Sequence, residues 1–123
     1  MAEPDADLLD HQRLASLVEE IGDADLVRQA VQAFLDEVPD RLAAIRVALA
    51  GGDPQELRSA AHALGSPAAM LGAVAVSRVS KALQAAALEE STEESRTLVD
   101  DIVEVTHRTE VEMRAYVAGS ASA

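Results

Sequence analysis

The chain has no cysteine and no tryptophan, and only one phenylalanine and one tyrosine in 123 residues. Without cysteine there is no disulfide, no thiolate nucleophile and no sulfur-ligated metal. With so few rings, a core must be assembled from alanine, valine and leucine. That suits close-packed helices better than a sandwich built on aromatic and β-branched pairs. Positive charge is scarce as well: ten Lys and Arg stand against 22 Asp and Glu, a formal charge of −12. Such a field repels a phosphate backbone, which argues against nucleic acid as a partner. No run of about 18 apolar residues suggests a membrane span. The opening "MAEPDADLLD" has no secretory-signal pattern, so a soluble, cytoplasmic protein is expected.

Several catalytic signatures are missing too. No serine sits in a G-x-S-x-G elbow, and no G-x-x-x-x-G-K-[ST] phosphate loop occurs. No pair of Glu-x-x-His segments offers a di-iron site, and the three histidines, His11, His62 and His107, lack metal-ligand spacing.

What is present is helical periodicity. Residues 1–7 read as a disordered acidic lead, 8–118 as one helical bundle and 119–123 as a flexible tail. A short helix is expected over about 8–21, with Leu14, Leu17, Val18 and Ile21 on one side. A second, over about 24–50, has Leu26, Ala30, Val31, Phe34, Val38, Leu42, Ile45 and Leu49 spaced by three or four almost throughout. Pro39 lies inside that run and is expected to bend or interrupt it. Asp53-Pro54 is an N-cap followed by a proline at the first helical position, and it opens a third helix. Further helices are expected over about 73–89 and 93–118. The fold class is therefore all-α: an up-down-up-down four-helix bundle with a short additional N-terminal helix lying over it as a lid.

On the third helix Arg58, His62 and Ser66 recur at i, i+4 and i+8, beside a core stripe of Leu57, Ala61, Leu64 and Ala68. His62 should thus have its stem packed and its outer nitrogen wet. Gly65 and Ser66 follow it, although glycine costs a helix about 1 kcal/mol relative to alanine. Small residues there leave clearance for a partner's backbone, and with Ala63 and Ala69 they make a shallow docking patch. His11 and His107 lack such surroundings and read as ordinary surface residues.

"AHALGSPAAMLGA", Ala61 to Ala73, resembles the signature of histidine-containing phosphotransfer (HPt) domains, roughly A-H-x-L-K-G-S-x-x-x-L-G-A. Ala61, His62, Leu64, Leu71, Gly72 and Ala73 match. "LVRQAVQAFLDEVPDRLAAIRVALAGGD" and "VSRVSKALQAAAL" resemble the helices on either side, so the likeness spans about Leu8 to Tyr116. It implies a four-helix bundle that relays a phosphoryl group in bacterial two-component signalling. His62 would be the phosphoacceptor and Gln84 the residue that orients its imidazole. Arg58, Ala63, Gly65, Ser66 and Ala69 would form the docking face. The implied partners are response-regulator receiver domains and a hybrid sensor histidine kinase. The chain would be a monomer with no cofactor of its own, Mg²⁺ coming with the receiver, and no independent kinase or hydrolase activity. One departure is plain. The lysine and glycine usual three and four places after the histidine are Gly65 and Ser66 here. Arg58, Arg78 or Lys81 would then have to neutralise the phosphoryl group. An alternative is a receiver- or kinase-binding module with weak or no transfer. Pro67 suggests another, since "HALGSP" is similar to the H-box of sensor kinases, roughly H-[DE]-L-[RK]-[TN]-P. That would be a phosphoacceptor domain of the dimerisation type. Ala63 and Gly65 depart from that box, and Leu71-Gly72-Ala73 fits the phosphotransfer family better.

Overall fold

The computed structural model describes residues 8–121, with side chains to residue 119. Five helices follow one another: α1 (His11–Ile21), α2 (Ala24–Gly51), α3 (Pro54–Met70), α4 (Val74–Leu88) and α5 (Thr92–Ala121). Three begin in the same way. The carboxylates of Asp10, Asp23 and Asp53 each accept from two backbone amides of the following first turn. For Asp53 these are Gln55 N at 3.0 Å and Glu56 N at 3.3 Å. Each cap satisfies amides that have no intrahelical partner and sets negative charge at the positive end of the helix dipole.

The links between α2, α3, α4 and α5 are two or three residues long, so successive helices must run antiparallel. α2 packs on α3 and α5, and α4 packs on the same two, which closes the square. Val31, Ile45, Leu64, Leu83, Ile102 and Met113 are fully buried inside it. Each such side chain contributes about 1.5–3 kcal/mol by leaving water.

The buried stripe of α2 runs through Val27, Val31, Phe34, Val38, Leu42, Ile45 and Ala48. Leu26, expected inside, is 49% exposed, Ala30 is exposed as well, and Leu49 is only partly buried. At 100° per residue each lies one step off the stripe. Pro39 does not interrupt α2. Its ring lies on the solvent side, so only the bond to the Leu35 carbonyl is lost and α2 runs through. α1 begins at His11 rather than Leu8, and Leu8 and Leu9 are buried in the non-helical lead into it. Ile21, expected on its packed side, is half exposed. Of the expected tail, residues 119–121 continue α5, while 1–7 and 122–123 lie outside the described residues.

α1 packs on α2 and is tied to the α3–α4 turn. The Asp10 amide donates to Gly72 O at 2.8 Å, and Arg13 Nε donates to Met70 O at 3.0 Å. Gly72 adopts φ +79°, and a Cβ on it would lie 2.8 Å from the Asp10 carbonyl oxygen. The turn therefore needs glycine for both its backbone conformation and its closeness to α1. The rings of His11 and Tyr116, on α1 and α5, lie 6.2 Å apart with their planes tilted by 55°. Among the described residues no helix is long and apolar enough to cross a membrane.

Candidate functional site

Asp53 and Pro54 fix where α3 starts, and the buried run Leu57, Ala61, Leu64 and Ala68 fixes how it is turned. Together they leave His62 exposed near the middle of the helix. Its imidazole has no hydrogen-bond partner among the described residues and lies on an exposed side chain. Two shallow hollows meet at the ring. One is lined by Gln55, Arg58, Ser59, His62 and Gln84. The other runs into the groove between α3 and α4, past Gly65, Ser66, Ala69, Ser80 and Lys81. It leads on to a third hollow, where Arg78, Arg13 of α1 and the α1 cap Asp10 join Lys81.

The sequence-derived residues fall into three groups. Arg58, Ser66, Ala69, Arg78 and Lys81 are exposed on the face that carries His62. Arg58, Arg78 and Lys81 make no ion pair among the described residues, whereas Arg13, Arg28, Arg41 and Arg114 are paired with Glu20, Asp25, Glu37 and Glu110. Ala63 is half-buried. Gly65 is buried, which corrects the expectation that it provides clearance for a partner. Its bare Cα faces α4, where a Cβ would lie 2.6 Å from Ser80 Cβ, so the clearance is used for helix packing. Ser66 and Ala69 carry the small exposed surface instead.

Gln84 lies beside His62 but does not bond to it. Its Nε2 donates to Ser80 Oγ at 3.1 Å, and Ser80 Oγ donates to Ala61 O at 2.7 Å. No motif in the sequence marks Ser80; its one signal is a serine in the otherwise apolar stripe Val76, Leu83, Ala87. None marks Glu110 either, a buried carboxylate held by His107 Nδ1 at 2.9 Å and Arg114 Nη2 at 3.2 Å. His107 is thus a structural partner on α5.

The charge around His62 is segregated from the rest. Leu57 to Leu88 contains no Asp or Glu and carries Arg58, Arg78 and Lys81; all 22 acidic residues lie elsewhere. A negatively charged chain therefore presents its exposed imidazole on a stretch free of acidic residues, with Arg58 and Lys81 lining the two hollows at the ring and Arg78 in the third, beside Asp10. No carboxylate from that stretch is available to hold a divalent cation there.

The profile of the Hpt domain matches residues 29–119. Among solved structures, the crystal structure of histidine-containing phosphotransfer protein B (HptB) from Pseudomonas aeruginosa PAO1 is similar, with a TM-score of 0.84 and 23% identity. The alignment covers 94% of this chain and 97% of that one. At such identity the likeness is one of fold. No curated protein sequence matches this chain.

Proposed function

The chain belongs to the Hpt domain family, and on that premise we propose that His62 is its phosphoacceptor, in exchange with the phospho-aspartate of response-regulator receiver domains. The observation that carries this reading is the exposed imidazole of His62 on the stretch from Leu57 to Leu88, which holds no acidic residue and three cations. A neutral imidazole attacks in line through Nε2. The N–P bond forms as the P–O bond to the receiver's aspartate breaks, and the aspartate leaves as a carboxylate. The reverse exchange hands the group to another receiver. Catalysis here is positioning and charge stabilisation. Arg58 and Lys81 border the imidazole and Arg78 lies one hollow further along α4, so these three neutralise the phosphoryl oxygens or the approaching partner. The receiver brings the Mg²⁺. Ser66 and Ala69 give its backbone room. The chain acts in the cytoplasm as a monomer, in line with a core that closes within one chain. That closure also argues against the dimerisation-type alternative, in which a two-helix hairpin needs a second copy to complete its bundle.

A second reading has one observation in its favour: the position of the family's usual lysine is occupied by a buried glycine, Gly65. A receiver-binding module that transfers poorly would look the same from outside. Incubation with a phosphorylated receiver decides between them. The expected result is acid-labile label on the wild-type chain and none on His62→Gln. Equal labelling of the two sinks the assignment, and receiver binding without label on the wild type favours the module.

A further inference from the structure

Ser80 has one hydroxyl proton, and a carbonyl oxygen can only accept, so the bond to Ala61 O commits that proton. Toward Gln84 the Ser80 oxygen is then acceptor only. The side-chain amide must present its NH₂ to Ser80, as it does at 3.1 Å, and cannot flip without losing the bond. That leaves Gln84 Oε1 as an acceptor with no partner among the described residues, on a side chain that lines the same hollow as His62. Resting on the phosphoacceptor reading of His62, we infer that Ser80 is a positioning residue for that imidazole. By locking the Gln84 amide with its oxygen free, Ser80 selects the His62 tautomer that carries its proton on Nδ1. A rotation of the exposed ring brings Nδ1–H to Gln84 Oε1, and the Nε2 lone pair is left outward for attack. With the amide flipped, an NH₂ would face the ring and favour the opposite tautomer, in which Nε2 carries the proton and is no nucleophile.

Gly65 belongs to the same device. Ser80 can reach Ala61 O only because nothing projects from position 65 into the space that Ser80 fills. Ser80 is 1% exposed at the α3–α4 seam, and its bond to Ala61 O is buried, where it is stronger than in water.

The test reads the tautomer directly, by long-range ¹H–¹⁵N correlation of the imidazole nitrogens in unphosphorylated protein, at a pH where the same spectra show His62 neutral. The expected result is Nδ1–H as the major form in the wild type. In Ser80→Ala, checked to be folded by circular dichroism, the ratio of Nδ1–H to Nε2–H falls several-fold. In Ser80→Ala with Gln84→Glu the Nδ1–H form returns, because a carboxylate presents an acceptor whichever way it is turned. A structural role alone would not produce that rescue. A wild type with Nε2–H as the major form overturns the inference, as does an unchanged ratio in Ser80→Ala or the absence of rescue. Initial phosphoryl uptake from a receiver should slow about tenfold in Ser80→Ala, and slower uptake with no tautomer change also overturns it. Because the spectra need no phosphoryl donor, a failed labelling experiment on the wild type leaves the tautomer result standing by itself.

Discussion

Gly65 and Ser80 are a matched pair. The hydroxyl of Ser80 can swing away from an added Cβ at position 65, but its own Cβ is fixed by the α4 backbone and would lie 2.6 Å from it. Gly65→Ala should therefore push α3 and α4 apart and cost about 1–3 kcal/mol in urea denaturation, despite alanine's better helix propensity. Adding Ser80→Gly should recover much of that loss, and a double-mutant cycle measures the coupling. The family's lysine cannot simply be restored at position 65, for the same reason. His62 was readable in the chain because its flanking pattern is local: Ala61, Leu64 and Leu71-Gly72-Ala73 lie within a dozen residues of it. Ser80, the burial of Gly65 and the carboxylate of Glu110 were not. Their partners are set by how one helix crosses another, or by which side of α5 faces inward, and neither is written in the spacing of a single helix.

Element boundaries were more legible where a side chain makes the end. Asp23 and Asp53 fall where α2 and α3 begin, and Gly52, with φ +69°, terminates α2 in the left-handed conformation. Asp53→Ala should lower stability by about 1 kcal/mol, with Asp53→Asn retaining most of it, in thermal or urea unfolding. The α4–α5 turn ends differently, on Glu90 with φ +57°. A non-glycine residue there is strained by about 1–2 kcal/mol. Glu90→Gly should raise the urea midpoint, with a net gain of about 0.5–1 kcal/mol once the glycine's extra unfolded-chain freedom is offset. The register of α2 was less legible. Leu26 and Val27 are adjacent apolar residues, and only the arrival of α3 and α5 decides which of the two is covered.

At the scale of the whole molecule the main feature is uneven charge. A stretch with three cations and no acidic residue, on an otherwise acidic body, turns that body away from an acidic partner while the stretch itself attracts it. Replacing Arg58, Arg78 and Lys81 together by Ala should change stability by less than about 0.5 kcal/mol per site, because each is exposed and unpaired. The rate of association with a receiver should fall about tenfold at low salt, and the difference should shrink as ionic strength rises. Stopped-flow mixing at two salt concentrations checks both halves. The bundle itself was legible from its four long periods and short links, whereas the tie from Asp10 and Arg13 of α1 to the α3–α4 turn joins residues some sixty positions apart and was not. One further consequence lies at the seam between the first helix and the last. With no tryptophan in the chain, ultraviolet emission comes essentially from Tyr116, whose ring lies 6.2 Å from that of His11 of α1. Its scarcity of aromatic residues has left the protein a single native optical probe, placed where it reports, without any label, whether the first helix is seated.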